Sequence, residues 1–275
     1  MIDTTLYLLS VDFVETGLIA AFLLGLMSGV IAPLIVMRNM SFAVHGTSEL
    51  ALMGASAALL AGANIGFGAV AGSILAAILL ALLGKQGRDS VVGVIMSFGL
   101  GLSVLFIHLY PGNSSAAMAL LTGQIVGVSS SSTILLAVVA VIVIGTVLVF
   151  FRPLLFTSVD PVMAAATGLN LRRWSVLFAV LVGLTAAQSV QIVGALLVMA
   201  LLITPGAAAV AVASHPVTTV ALSVVFSLVS AVGGFVLSLA PGLPVSVPVT
   251  AISFVIYLAC RFIGWRLSLR VQAAG

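Results

Sequence analysis

His45 and Glu49 form a His-x-x-x-Glu pair inside the segment MSFAVHGTSELALMG. On a helix this spacing projects both side chains from one face, with Cβ atoms roughly 5–6 Å apart. An imidazole and a carboxylate converging on one point suit a divalent transition-metal ion. The surrounding residues read as a membrane-spanning helix. A carboxylate near the bilayer centre costs on the order of 2.5–3.5 kcal/mol on insertion scales, so something must offset it. Metal handling on a transport path is one account, because intramembrane ionisable residues mark such paths. A His–Glu hydrogen bond that only fixes helix packing is the competing account.

Composition determines what must position this pair. The 275 residues are 63% hydrophobic and 5% charged, whereas about a quarter of a soluble domain is charged. Mean hydropathy is +1.41. The chain is therefore expected to be all-α, a polytopic helical membrane protein forming one transmembrane domain over 1–275. Its apolar stretches are too long and continuous for barrel strands, which alternate over about ten residues. The single Cys260 lies in the last span and reads as a buried structural thiol. The first strong span follows Asp12 and Glu15 and lacks the basic flank of a cleaved signal, so it is expected to be retained.

Hydropathy and breakers divide the chain into nine spans, near 15–37, 43–62, 65–83, 90–109, 132–151, 174–190, 193–213, 217–239 and 246–264. Breaks are expected at Arg38-Asn39, Asn64, 85–89, 111–113, Arg152-Pro153, Gln191, His215-Pro216 and 241–244. One long broken helix over 174–213 would reduce the count to eight. With nine spans and the N-terminus outside, all nine basic residues fall inside, while Asp3, Asp12 and Glu15 fall outside. The positive-inside rule thus favours N-out, C-in. The net charge of +3 reflects this fringe and not nucleic-acid binding, since no basic run with interleaved aromatics exists. Gly25/Gly29, Gly62/Gly66 and Gly68/Gly72 have the small-xxx-small spacing of close helix packing. Residues 116–128 are apolar but too short to cross, which suits a re-entrant or interfacial piece.

The largest cytoplasmic connection, 152–173, holds a short helix with clear punctuation. Asp160 suits the N-cap, Pro161 the first helical position and Gly168 the C-terminal stop. Two turns are unstable alone, below the ~12–15 residues needed in water, so this helix must pack on something. The membrane surface, a neighbouring loop and a partner protein are all open. Val162, Met163 and the following alanines supply a small apolar knob. No Walker-type phosphate loop and no His-Glu-x-x-His appear, so the chain itself is not expected to hydrolyse ATP or to be a zinc protease. His108 and His215 stand alone and read as interfacial residues. The methionines are scattered, not grouped as a soft-metal path.

Several segments in order resemble one family. They are Arg38-Asn39-Met40-Ser41-Phe42, Gly87 to Gly93, Leu121-Thr122-Gly123-Gln124-Ile125, Asp160-Pro161 through Gly168-Leu169, and Val193-Gly194-Ala195-Leu196-Leu197 through Thr204-Pro205-Gly206-Ala207-Ala208. Together they resemble the permease subunits of bacterial ATP-binding-cassette importers for zinc, manganese and chelated iron, almost end to end. The resemblance implies a type II importer-like permease in the bacterial plasma membrane, not an enzyme, and working as a homodimer. It implies a cytoplasmic ATP-binding subunit, an extracytoplasmic metal-binding protein and the lipid bilayer as partners. ATP would be held by the partner, and the divalent metal would be cargo, with no permanent cofactor. Residues 158–168 would be the coupling helix, with Asp160, Pro161, Val162, Met163, Ala164 and Gly168 at the ATPase. Ser48, Gln124, Thr204 and Pro205 would line the pathway, Pro205 by breaking its helix.

One departure bears on the cargo. Many family members carry Gly-Asp-x-x-x-His in the second span, where this chain has Val44-His45-x-x-x-Glu49. The two ligand types have exchanged places. A mixed nitrogen and oxygen pair accepts Zn²⁺, Mn²⁺ and Fe²⁺. Two ligands are too few for a closed site, and a weak open site suits conduction. The alternative function is a secondary transporter without an ATPase, in which Glu49 carries a coupling proton. A purely structural membrane subunit and an importer of a non-metal substrate also remain open.

Overall fold

Long apolar runs with few breakers satisfy their backbone internally only as helices in lipid. The computed structural model describes residues 12–82, 88–112, 120–121, 130–194, 197–239 and 243–274, and all regular structure among them is helical. The helices are α1 (Asp12–Met37), α2 (Ser41–Leu60), α3 (Ile65–Leu82), α4 (Arg88–Leu109), α5 (Ser130–Val149), α6 (Phe151–Val159), α7 (Pro161–Ala166), α8 (Leu171–Val193), α9 (Val198–Leu202), α10 (Thr204–Val212), α11 (Pro216–Leu239) and α12 (Ser246–Ala274). Six of them, α1, α4, α5, α8, α11 and α12, contain stretches long and apolar enough to cross a membrane. Ile65–Leu80 and Val198–Val212 are shorter apolar pieces.

Helix α1 is the axis of the bundle. Its apolar window is 72% buried, against 17% for α12. It packs mainly on α11, and also on α5 and α10. Helix α2 is enclosed by α3, α4 and α8. Outward positions such as Phe98, Val141 and Phe254 are apolar and exposed, as expected where lipid and not water is the solvent.

Glycine determines how closely the inner helices approach. A Cβ on Gly72 would run into the Leu50 carbonyl, and one on Gly68 into Gly54. A Cβ on Gly25 would lie 3.1 Å from Ala231, and one on Gly29 2.6 Å from the Val224 backbone. The Gly25/Gly29 and Gly68/Gly72 pairs therefore pack as expected. Gly62 does not: nothing lies within 4 Å, and its φ of +68° lies just beyond the end of α2. It serves as a helix stop.

Three breaks differ from the sequence expectation. Helix α8 runs through Gln191, whose Nε2 donates to Ser132 Oγ at 3.0 Å, and stops at Gly194 with φ +83°. A polar residue with a partner does not interrupt a helix, whereas the left-handed glycine does. The segment expected as 193–213 is two short helices joined at Ile203, with φ −122° and ψ −51°. The break expected at Arg152-Pro153 sits at Phe150. Pro153 lies in the first turn of α6, where a missing N–H costs little. The last span, expected over 246–264, lies within α12, whose apolar stretch is Ser246–Arg266.

The α2–α3 crossing should be limited by glycine. Gly72→Val is expected to cost at least about 1–3 kcal/mol through overpacking. Gly145→Ala, with nothing within 4 Å, should shift stability by no more than about 1 kcal/mol. Thermal unfolding in detergent compares the two.

Candidate metal site and coupling segment

Helix α2 carries the His-x-x-x-Glu pair on a face that its neighbours cover. Glu49 is 8% exposed and His45 is half-buried. Small residues bring the walls in. A Cβ on Gly46 would lie 2.9 Å from Val92 of α4, and one on Gly99 of α4 would lie 3.3 Å from the Glu49 backbone. The neighbouring hydroxyls are taken up by the helix itself. Thr47 Oγ1 donates to the Ala43 carbonyl at 2.9 Å, and Ser48 Oγ to the His45 carbonyl at 2.7 Å.

The pair is left unanswered. Among the described residues, neither His45 Nδ1 nor Glu49 Oε2 has a hydrogen-bond partner, although both atoms are buried. Packing fixed by a His–Glu hydrogen bond is therefore not what these atoms show. An imidazole nitrogen and a carboxylate oxygen are of the ligand types that divalent transition metals accept, and these two lie four residues apart on one helix. Among the described residues no group of three or more His, Cys, Asp or Glu is placed to hold a metal ion.

The other residues expected on the pathway are dispersed. Ser48 sits beside His45 but directs its hydroxyl to the backbone. Gln124 lies outside the described residues. Pro205 is buried in the first turn of α10, so it begins that helix, and the break precedes it at Ile203. Helix α10 packs on α1, α11 and α12, and α9 reaches α2. Gln188 on α8 escapes the sequence reading. It is fully buried and, among the described residues, neither atom of its amide has a partner, as is also true of the hydroxyls of Ser28, Ser73, Ser223 and Ser227. A primary amide in the middle of an apolar helix was the available signal.

The short loop helix is built as its punctuation predicts. Asp160 Oδ1 accepts from the Met163 N–H at 2.9 Å, and Pro161 occupies the first turn. Gly168, at φ +86°, donates its N–H to the Ala165 carbonyl, and Leu169 N–H to the Ala164 carbonyl. Ala164 is buried inward while Val162 and Met163 are 78% and 58% exposed. The expected range 158–168 is not one helix. Ser158 and Val159 end α6, and α7 proper is 161–166, because the extended Asp160 (φ −136°, ψ 85°) separates them.

The sequence profile of the ABC 3 transport family matches residues 10–264. This chain belongs to that family. As an ABC 3 permease it is a multi-pass membrane transport protein. Among its relatives is the manganese transport system membrane protein MntC of Listeria innocua, 31% identical over 258 residues, which span 91% of this chain and 92% of the relative. Another is the high-affinity zinc uptake system membrane protein ZnuB of Haemophilus influenzae, 28% identical over 225 residues, covering 81% of this chain and 86% of the relative. The fold of the ABC 3 permease also matches a chain of PsaBC from Streptococcus pneumoniae in complex with Fab. That match has a TM-score of 0.89 and 26% identity, covering 98% of this chain and all of that one.

Helix α7 should depend on its cap. Asp160→Ala is expected to cost about 1 kcal/mol locally. Amide hydrogen exchange should quicken at Met163 and its neighbours while α8 stays protected. Unaltered exchange there would show that packing alone holds the turn.

Proposed function

We propose that this chain is the membrane-spanning subunit of an ATP-driven importer that carries a divalent transition-metal ion into the cytoplasm. The observation that carries this reading is the unpartnered pair, His45 Nδ1 and Glu49 Oε2, buried on one face of α2. Membership in the ABC 3 family and relatives named for manganese and zinc transport support it. Mn²⁺, Zn²⁺ and Fe²⁺ all accept such a mixed pair. The remaining coordination would come from water, a second copy of the chain or the open path. Weak and incomplete ligation favours release.

Nine crossings follow if α9 and α10 count as one broken pass beside α1, α2, α3, α4, α5, α8, α11 and α12. With the N-terminus outside, α6 and α7 then lie on the cytoplasmic side with Arg152, Arg172 and Arg173, as the positive-inside rule requires. On this reading the exposed Val162 and Met163 of α7 dock in the ATP-binding subunit, an extracytoplasmic protein delivers the ion, and two copies of the permease enclose the path. Hydrolysis belongs to the partner. The membrane is the bacterial plasma membrane.

The test is ion uptake into vesicles holding the permease, its ATPase and its binding protein. ATP-dependent entry of Mn²⁺, Zn²⁺ or Fe²⁺ is expected, with Glu49→Gln and His45→Ala each lowering it by at least about tenfold. The binding forms are neutral imidazole and carboxylate, so protons compete with the metal and uptake should fall as the outer pH is lowered. Uptake that persists in both variants at normal expression removes the site. Uptake by the permease alone, without its ATPase, would instead support the proton-coupled carrier.

A further inference from the structure

Arg38 occupies the turn between α1 and α2, closed by Asn39 at φ +54°. Its guanidinium reaches across to another part of the chain. Nε donates to Ser158 Oγ at 2.7 Å, and Nη2 donates to Thr157 Oγ1 at 2.7 Å and to the Leu154 carbonyl at 3.4 Å. Its Cζ lies 4.1 Å from the centroid of the Phe178 ring. Leu154, Thr157, Ser158 and Phe178 are all buried. Every partner is neutral. Burial pushes the Arg38 pKa down to about 10, so it is still a cation at neutral pH.

Burying a cation among neutral groups is a poor way to hold a loop, since an apolar side chain of similar size packs there without desolvation cost. The arrangement makes more sense from what it connects. Helix α7 rests on α6 and α8. Arg38 grips both of those supports, α6 through Leu154, Thr157 and Ser158, and α8 through Phe178. Three residues beyond Arg38, α2 begins, and the same rigid helix carries His45 and Glu49. Thus one planar side chain joins the platform beneath α7 to the helix that holds the ligand pair. Hydroxyl and ring contacts also exchange partners more readily than a paired carboxylate would.

We infer that Arg38 is a positioning residue that transmits displacement of the α6–α7 segment to α2, linking the ATPase's cycle to the His45/Glu49 pair. This rests on the proposed function above. Arg38 touches neither the ion nor ATP. Its loss should therefore uncouple the two activities, not abolish one of them.

The experiment measures Mn²⁺ imported and ATP hydrolysed in the same proteoliposomes, containing permease, ATPase and binding protein. Arg38→Gln is expected to keep ATP hydrolysis while ions imported per ATP fall by about tenfold, within the usual range of coupling strengths. Arg38→Lys should recover only part of that ratio, because an ammonium lacks the fork that spans two hydroxyls. The Thr157→Val/Ser158→Ala double variant leaves Arg38 in place and should lower the same ratio; it serves if Arg38→Gln does not assemble. The inference is overturned if both sets import the wild-type number of ions per ATP, or lose uptake and hydrolysis in parallel. A wild-type assembly that imports none of Mn²⁺, Zn²⁺ or Fe²⁺ removes the importer reading itself. Wild-type import with an intact ratio in the variants removes only the Arg38 link.

Discussion

A carboxylate and an imidazole inside an apolar bundle keep their positions only if the surrounding backbone is rigid, because lipid supplies no hydrogen bonds to hold them. Glu49 and His45 meet this constraint through α2, which crosses α3 at distances that only glycine allows and packs closely on α4. The adjacent hydroxyls of Thr47 and Ser48 turn back onto their own helix. They therefore satisfy neither polar head, and one nitrogen and one oxygen remain available on a buried surface. Buried polar atoms without partners cost stability. A passing cation would offset that cost transiently, which is what a path needs and a storage site does not.

The same logic separates the two ends of α2. Toward its start the chain turns at Arg38, a cation satisfied by hydroxyls, one carbonyl and an aromatic face. The turn leading into α2 therefore contacts α6 and α8, the supports of α7, and the unpartnered His45/Glu49 pair lies a few turns on. Helix α7 is too short to be stable alone. Its Asp160 cap and Gly168 stop give it shape, and α6 and α8 give it support. So short an element needs the support of α6 and α8, and Arg38 contacts both of them.

Much of this was legible in the sequence because the strongest signals are local. The His45/Glu49 spacing, the Asp160-Pro161 start and the Gly168 stop each depend on a few neighbouring residues, and each reappears in the structure. Helix positions followed from hydropathy, since in lipid a long apolar run has few alternatives to a helix. Breaks were less legible. Gln191 reads as an interruption until its partner Ser132 is seen, 59 residues away. Gly62 and Gly68 look alike in a small-xxx-small pattern, yet one ends a helix and the other admits a neighbouring backbone. Arg38 reads simply as a basic residue inside the membrane edge. Its contacts with Thr157, Ser158 and Phe178 are tertiary, and no local pattern encodes them. Gln188 was visible as a type but not as an orphan, because satisfaction is a property of the fold.

The central claim is that His45 and Glu49 touch the transported ion. Pulsed electron paramagnetic resonance of the Mn²⁺-loaded permease assembly tests it most directly, because a coordinated imidazole nitrogen modulates the manganese signal. The chain has only three histidines, His45, His108 and His215. The account predicts nitrogen modulation in the wild type that persists in the His108→Gln/His215→Gln variant and disappears in His45→Ala. Modulation that survives His45→Ala, or bound Mn²⁺ with no nitrogen modulation in the wild type, would contradict it.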